Sequence, residues 1–198
     1  MNLLAHLFLS GKDQQITLGN FIADAVKGKQ ANQYSRKIQQ GIQLHHAIDS
    51  FTDNHSIVKE SIKLLRPKYH MYAGVIIDLA YDHFLAQNWK RYSEMNRAVF
   101  INNSYELLLK NFLILPERTK AFLPFMIMND WLKNYAKLTG LHQSLEGLAR
   151  RTTFKSGMEH AINDIKIHYD IMEQHFNLFF PDIIHYVKQN PYVEWYDQ

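Results

Sequence analysis

Residues 41–54 read GIQLHHAIDSFTDN, and this stretch decides how the rest of the chain is interpreted. At 100° per residue, one face of a helix over this region forms a continuous stripe of apolar and polar side chains. Its members are Ile38, Gly41, Ile42, His45, Asp49 and Thr52, with Ile48 beside them. His45 and Asp49 therefore continue the apolar stripe. Because an unpaired buried carboxylate costs several kcal/mol, a cation, a hydrogen-bond network or a metal ion must offset that cost.

Apolar residues recur at spacings of three and four along most of the chain, which predicts helices rather than strands. The predicted fold class is all-α, a compact helical bundle. No linker, internal repeat or low-complexity tract interrupts the sequence, so we expect one domain over residues 1–198. The predicted helices cover residues 2–9, 17–27, 34–52, 55–65, 69–88, 94–112, 117–137, 141–150, 157–177 and 180–189.

Four residues are expected to set helix boundaries in the first half of the chain. Thr17 is interpreted as the N-cap of the second helix and Gly28 as its C-terminal stop. Pro67 is expected to end the fourth helix, because the residue before a proline is disfavoured in the helical conformation. Asp53 is interpreted as the cap of the helix that follows it rather than as a ligand.

The composition excludes several classes of protein. The chain has 198 residues, of which 46% are hydrophobic and 21% are charged, as in a globular domain with a sizeable core. It contains no cysteine, which excludes disulfides, thiolate metal sites and thiol nucleophiles. No apolar run approaches membrane-spanning length, and the first residues lack a basic leader and a cleavage site. We therefore predict no membrane span and a cytoplasmic location.

The charge is unevenly distributed along the chain. Residues 156–198 carry two lysines and seven acidic residues, a net charge of −5. Residues 1–155 carry 20 basic and 12 acidic residues, a net charge of +8. A basic body indicates an anionic partner, such as a phosphate, a nucleic acid or an acidic protein. An unevenly solvated surface explains the same numbers equally well.

Three further segments direct acids or histidines toward the interior. Asp78 and Asp82 share the apolar face of one predicted helix, and His83 lies about 100° round from Asp82. Asp24 borders an apolar face, and His6 lies among leucines. A lone histidine on such a face is usually a core residue hydrogen-bonded to a carbonyl or carboxylate group. The coincidence of four segments favours a metal centre, because imidazole and carboxylate suit Mn²⁺, Fe²⁺, Mg²⁺ or Zn²⁺.

Other chemistries have no motif in this sequence. There is no nucleophile elbow, phosphate-binding Walker loop or dinucleotide-binding glycine fingerprint. The absence of a Glu-x-x-His motif argues against a ferritin-like di-iron bundle. The stretch LARRTTFK contains Arg150 and Arg151, whose guanidinium groups are suited to binding a phosphate. A solvated helix end is the alternative interpretation of this stretch.

Four stretches in this order resemble the acyl carrier protein phosphodiesterase family: MNLLAHLFLSG, LGNFIADAVKG, GIQLHHAIDSFTDN and VIIDLAYDHFL. Weaker similarity continues in NDWLKNY, around Trp131, and in GLARR, so the resemblance covers nearly the whole chain. It implies an all-helical relative of the His-Asp phosphohydrolases that depends on Mn²⁺ or Mg²⁺. Such enzymes remove phosphopantetheine from holo acyl carrier protein and leave the apo carrier.

The same resemblance implies roles for the motif residues. Asp49 is expected to orient an imidazole or the attacking water. Either Asp49 or His83 is expected to relay a proton. Arg150 and Arg151 are expected to hold the substrate phosphate, because His46 stands where the family often has an arginine. The residues expected at the metal are His6, Asp24, His45 and Asp82, with Asp78 as a further ligand.

Two other functions are compatible with the sequence. The first keeps the metal and changes the substrate to a nucleotide or another small phosphodiester. The second is a non-catalytic helical binding protein whose inward acids pair with arginine and lysine. Of the possible partners, we expect the acidic acyl carrier protein rather than a nucleic acid.

Overall fold

The computed structural model describes residues 1–196, and within them the chain forms twelve α-helices and no strand. The all-α prediction is therefore confirmed. The helices are α1 (Leu3–Leu9), α2 (Gln14–Ile22), α3 (Arg36–Asn54), α4 (Ser56–Tyr69), α5 (Ala73–Gln87), α6 (Trp89–Tyr92), α7 (Arg97–Lys110), α8 (Glu117–Met128), α9 (Trp131–Asn134), α10 (Leu138–Ala149), α11 (Ala161–Ile167) and α12 (Tyr169–Lys188). Short 3₁₀ turns lie at Ala23–Ala25, Gly28–Gln33, His70–Tyr72, Phe112–Ile114 and Met158–His160.

Helix α5 runs through the centre of the molecule. Its residues Ile76, Ile77, Tyr81 and Phe84 are fully buried, and it packs against α1, α4, α10 and α12. An apolar helix buried around most of its circumference is what a central core helix requires. Because α1 packs directly on α5, the acids of α5 contact the first residues of the chain. Within the described residues, no helix combines the length and apolarity needed to span a bilayer.

Two glycines bring α2 and α3 into backbone contact. A Cβ atom on Gly19 would lie 2.0 Å from the carbonyl oxygen of Ile38, and one on Gly41 would lie 2.2 Å from that of Ile16. Neither distance is physically possible, so only glycine permits this approach. Among the described helices, this pair makes the most extensive contact. It fixes the position of His45 relative to the end of α2.

The C-terminal segment closes over α1. The backbone amide of Lys12 donates to the carbonyl oxygen of Glu194 at 2.8 Å, and Gly11 adopts a φ of +70° beside it. Phe8 of α1 meets the ring of Trp195 edge to face, with centroids 5.7 Å apart. Helix α1 is thus enclosed between α5 and the segment that contains Glu194 and Trp195.

Several predicted boundaries were wrong. The N-cap of α2 is Asp13, which accepts from the backbone amides of Gln15 and Ile16, whereas Thr17 lies inside the helix. Asp53 lies within α3 and caps nothing, because α3 extends to Asn54. Helix α4 continues through Pro67 to Tyr69, since burial of Tyr69 outweighs one hydrogen bond missing from the last turn.

Two of the predicted long helices are also divided differently. Asp130, with φ 47° and ψ 51°, is left-handed and separates α8 from α9 within the predicted helix 117–137. The predicted break near residue 178 is absent, and the chain breaks at His168 instead. Helix α12 passes through Pro181 because Phe176, Phe180 and Ile183 are fully buried on one side of it.

Candidate metal centre

Two buried imidazole rings form the centre of the candidate site. His6 projects from α1 and His45 from α3, and they are only 4% and 5% exposed. The rings are stacked, with centroids 4.0 Å apart and planes inclined by 18°. Two imidazolium cations at that separation would repel each other, so the arrangement requires at least one neutral ring.

Asn20, near the end of α2, fixes the orientation of both rings. Its Nδ2 donates to the carbonyl oxygen of His6 at 3.0 Å and to Ser10 Oγ at 2.9 Å, which leaves Oδ1 facing the imidazoles. That oxygen lies 2.8 Å from Nδ1 of His6 and 3.2 Å from Nδ1 of His45. His45 Nδ1 is also 2.9 Å from the backbone oxygen of Asn20. Both Nδ1 atoms therefore carry hydrogen, and the free lone pairs of the neutral rings are on Nε2.

Two carboxylates face those Nε2 atoms. Asp49 places one oxygen 3.1 Å from Nε2 of His6 and the other 3.1 Å from Nε2 of His45. Asp24 places an oxygen 3.2 Å from Nε2 of His45. A lone pair and a carboxylate oxygen repel each other unless a proton or a metal ion lies between them. The ligand atoms of His6, His45 and Asp49 lie within 4.8 Å of one another, a spacing that a metal ion could bridge.

The electrostatics of the four groups are coupled. Burial lowers the pKa of His6 more than its contact with Asp49 raises it. Burial also opposes the charge of His45, but hydrogen bonds to Asp24 and Asp49 prevail and raise its pKa to about 9. The hydrogen bond from His45 holds the pKa of Asp24 below its usual range. Asp49 has a strongly lowered pKa, because its close contacts with both imidazoles outweigh its burial. Two ionised carboxylates beside two imidazoles favour a divalent cation.

The structure does not bring the acids of α5 into this group. Asp82 is fully buried, and its oxygens accept from the backbone amides of Leu4 at 2.7 Å and Ala5 at 3.1 Å. Burial raises the pKa of Asp82 to about 7. Asp78 lies 2.9 Å from the amino nitrogen of Met1. Both carboxylates thus hold the first residues of the chain in place, and their expected role as ligands stays a prediction.

His83 also lies apart from the stacked rings. Its Nδ1 is 2.7 Å from the carbonyl oxygen of Tyr135, and its Nε2 is 2.8 Å from the hydroxyl group of Tyr169. The ring is fully buried, and burial lowers its pKa. With both nitrogens hydrogen-bonded and burial favouring the neutral form, the ring fits a structural position. Its expected role as a proton relay stays a prediction.

The two predicted phosphate-binding arginines lie in different places. Arg150 is 80% exposed and lies 3.9 Å from Glu146. Arg151 lines a cavity that Asp24 also lines, and its guanidinium carbon lies 5.6 Å from the centroid of Trp131. Only Arg151 therefore shares a cavity with a member of the candidate metal centre.

That cavity has a volume of about 200 Å³ and lies between the start of α1 and helices α8 to α10. Two site residues in this region are absent from the sequence-based prediction. Arg118 lines the cavity, but it is an exposed arginine with no motif around it. Asn20 had a detectable signal in the sequence, because it lies four residues before Asp24 and therefore on the same face of the predicted helix 17–27. The lining residues are Asn2, Leu3, Phe21, Asp24, Ala25, Leu79, Arg118, Thr119, Phe122, Trp131, Tyr135, Ser144, Gly147, Leu148 and Arg151.

The fold and the site define an all-helical protein with a His-His-Asp group that could hold a metal ion beside a cavity. The sequence profile described as "Acyl carrier protein phosphodiesterase" matches residues 1–183, and the chain belongs to this family. No solved structure matches the chain significantly.

Curated relatives carry the same description. Proteins named acyl carrier protein phosphodiesterase from Yersinia enterocolitica and Photorhabdus laumondii are each 32% identical over 182 residues. These alignments cover 91% of this chain, with 94% of the Yersinia protein and 92% of the Photorhabdus protein. A protein of the same name from an Enterobacter species is 31% identical and covers 91% of this chain and 94% of its own length. The predicted family is therefore confirmed.

Proposed function

We propose that this protein hydrolyses the phosphodiester that joins phosphopantetheine to the serine of holo acyl carrier protein. The products are the apo carrier and 4′-phosphopantetheine. Relatives aligned over nine-tenths of the chain bear the name of this activity. The observation that carries the proposal is the convergence of two oriented imidazoles and two carboxylates beside a cavity lined by two arginines.

The donor set fits a divalent metal. Nε2 of His6, Nε2 of His45 and a carboxylate oxygen of Asp49 would hold the ion, and Asp24 would complete the set from its exposed side. Hydrogen bonds at Nδ1 to Asn20 supply the outer support that metal-binding histidines commonly have. Mn²⁺ is our first choice and Mg²⁺ the second, because imidazole nitrogen suits Mn²⁺ better. A bound ion would acidify a water molecule and neutralise phosphoryl charge.

Side chains of the protein would carry out the remaining steps, which are orienting the rings, binding water and binding the phosphate. Asp49 bridges the two rings and keeps both Nε2 atoms directed to one point. The side chain of Asp24 is 83% exposed, so its carboxylate can accept a hydrogen bond from water on the cavity side. Arg118 and Arg151 place guanidinium groups at the same cavity, where they would bind the non-bridging phosphate oxygens.

The proposed substrate agrees with the charge of the chain. Acyl carrier proteins are acidic, and residues 1–155 have a net charge of +8. Opposite charges accelerate encounter. Within the described residues, the ion-pair partners of Asp24 and Asp49 are imidazoles and the amino group of Met1, with no lysine or arginine. This disfavours the non-catalytic alternative, in which basic residues neutralise the inward acids.

The test is hydrolysis of a defined carrier. Purified protein is incubated with holo acyl carrier protein and Mn²⁺, and the mass of the carrier is followed. We expect loss of the phosphopantetheine mass with wild type and at least about a 10³-fold slower loss with Asp49→Asn, which removes the shared carboxylate charge. Asp170→Asn removes a similar charge from the first turn of α12 and should leave the rate unchanged. An unmodified carrier after incubation with folded wild type would reject the proposal.

A second candidate function keeps the metal and changes the substrate to a nucleotide or another small phosphodiester. His46, an exposed residue next to His45 at a position where the family often has an arginine, favours this candidate. A panel of cyclic nucleotides and bis(p-nitrophenyl) phosphate separates the two. Turnover of a panel member by wild type, without turnover of the holo carrier, would support the second function.

A further inference from the structure

Gly147 is a helical glycine that neither packing nor backbone conformation requires. It lies inside α10, and a Cβ atom built on it meets no atom within 4 Å. A Cβ on Gly140 of the same helix would lie 2.1 Å from the carbonyl oxygen of Asn134, so that glycine is needed for packing. Glycine inside a helix is destabilising relative to alanine. Because Gly147 lines the cavity beside Asp24, its missing side chain leaves that volume open.

The walls of the cavity combine apolar and polar groups. The rings of Phe122 and Trp131 are nearly parallel, with an angle of 4° and centroids 6.3 Å apart. On the polar side, Asn2 Nδ2 lies 3.5 Å from the hydroxyl group of Tyr135. An apolar wall with a few polar groups is typical of sites that bind small organic groups.

The charges at the cavity restrict the kind of ligand further. Asp24 links the cavity to the imidazole pair through its hydrogen bond with His45. Arg118 and Arg151 supply two positive charges, and Arg151 packs over the face of Trp131. The ligand that fits has an anionic end next to a flexible segment of amide and methyl groups. A phosphate attached to pantetheine has this composition.

We propose, building on the proposed function, that this cavity binds the pantetheine arm of the carrier substrate and that Gly147 keeps it open. The dimethyl and methylene groups of the arm pack against Phe122 and Trp131. Its phosphate lies at the end of the cavity nearest Asp24, within reach of Arg118 and Arg151. The cavity thereby distinguishes a phosphodiester that carries pantetheine from one that does not.

The test fills the cavity and measures binding directly. Calorimetric titration with 4′-phosphopantetheine and with inorganic phosphate is performed on wild type, Gly147→Phe, Gly147→Ala and Gly74→Phe. Gly74 is a matched control, because it is also helical, has no atom within 4 Å of a built Cβ, and does not line this cavity. All three substitutions replace glycine with a better helix former, so the folds should be retained.

Wild type and Gly74→Phe should bind 4′-phosphopantetheine more tightly than inorganic phosphate. Gly147→Phe should lose at least about tenfold in affinity for 4′-phosphopantetheine, the scale on which apolar pockets discriminate, and keep its affinity for inorganic phosphate. Gly147→Ala should lie between wild type and Gly147→Phe. Equal affinities in all four proteins, or no preference of wild type for the pantetheine compound, would overturn the inference.

Turnover of holo carrier protein by the same variants separates this inference from the proposed function. If wild type releases the arm and Gly147→Phe has an unchanged kcat/KM, the cavity assignment fails and the proposed function stands. Should wild type bind 4′-phosphopantetheine but leave the holo carrier intact, the proposed function fails and the cavity assignment stands. Circular dichroism of each variant confirms that lost binding does not reflect lost structure.

Discussion

Asn20 determines which nitrogen of each imidazole is available. One amide oxygen faces both Nδ1 atoms, and the amide nitrogen is held by the backbone of His6 and by Ser10. The amide therefore cannot turn over without losing two hydrogen bonds. A residue outside the proposed ligand set thus fixes the chemical form of His6 and His45.

Replacing Asn20 with leucine should weaken metal binding without unfolding the protein. Leucine has a similar size but no acceptor, so the rings lose their fixed tautomer. We expect Mn²⁺ affinity to fall by about 10- to 100-fold, the usual effect of removing such a partner. Calorimetric titration with Mn²⁺ measures the change. Asn20→Asp keeps the acceptor and should bind Mn²⁺ more tightly than Asn20→Leu; the reverse order would contradict this role.

For individual residues, the sequence predicted the side of a helix on which a side chain lies better than the partner that this side chain contacts. Periodicity correctly indicated that His45 continues an apolar stripe, and the ring of His6 lies beside it, but the side chain of Asp49 is 38% exposed and that of Asp24, which was expected to point inward, is 83% exposed. The same rule pointed Asp82 inward, and it is buried, but its oxygens bind backbone amides of α1. A helical projection shows which way a side chain points and not which partner it meets, because that depends on tertiary packing.

At the scale of elements, Asp82 anchors helix α1. It accepts from two amides in the first turn of α1, the helix that carries His6. In Asp82→Ala these two buried amides lose their acceptor, and we expect a loss of roughly 2–4 kcal/mol in the free energy of unfolding. Urea denaturation measures this loss, and metal titration should show weaker Mn²⁺ binding as α1 loosens. If Asp82→Ala has the same free energy of unfolding as wild type, water satisfies the two amides in place of the carboxylate, and Asp82 does not anchor α1.

The contact between α2 and α3 depends on having no side chain at Gly19 and Gly41. Gly41→Ala should lower the free energy of unfolding by about 1–3 kcal/mol, because the new methyl group forces the helix axes apart. Gly74→Ala is the control, since a Cβ there meets no atom within 4 Å. Denaturant midpoints of the two variants give the comparison. Equal stabilities would mean that the α2–α3 contact tolerates separation.

Asp13 makes the α2–α3 pair sensitive to acid. It caps α2 and binds Lys37 of α3, and these bonds outweigh its burial and hold its pKa below the usual value. A lowered folded-state pKa means that the stabilisation is present above the unfolded-state value of about 3.9 and is lost as the pH falls through the folded-state value. Asp13→Asn should therefore cost roughly 0.5–1 kcal/mol near neutral pH.

The difference in the free energy of unfolding between wild type and Asp13→Asn should vanish in acid, where Asp13 is protonated. Denaturation series from about pH 7 to about pH 2 test this. Lys63→Gln removes an exposed pair with Glu60 and serves as a control for general charge effects. A difference that stays constant over the series would assign the effect to capping geometry rather than to charge.

The presence of a helix was more predictable than the residues at which it begins and ends. Apolar periodicity extends over many residues, so α3 and α5 were expected near their observed positions. A boundary depends on a few local contacts, and these compete with burial. Pro67 and Pro181 would end an isolated helix, but neighbouring buried aromatic residues keep α4 and α12 continuous.

For the whole molecule, charge should govern encounter with the substrate. The net charge of +8 on residues 1–155 attracts an acidic carrier, and salt screens this attraction. We expect kcat/KM for the holo carrier to fall by about tenfold between about 50 and 500 mM potassium chloride, with little change in kcat. Steady-state kinetics at several salt concentrations measure both constants. A kcat/KM independent of salt would assign recognition to uncharged contacts.

The complete site could be recognised only in the three-dimensional structure. The His-His-Asp group comes from the first 49 residues, whereas more than half of the residues that line the cavity come from the segment between Arg118 and Arg151. No sequence pattern links Asp24 to Arg118 or Gly147, because their proximity arises only when the two halves of the chain pack together. The arginine pair at residues 150 and 151 was recognisable, but its sequence did not tell which of the two faces the cavity.

The glycine contact between α2 and α3 also bears on how readily the site can deform. Where backbone meets backbone, no side chain is present that could change rotamer and absorb a shift. Asn20 and His45 can then separate only if whole helices move apart, which is a cooperative event of high free energy. Amide hydrogens along this contact should be among the slowest in the protein to exchange with deuterium. The imidazole pair is thus rigid and preorganised, and the proposed ion would meet it already assembled.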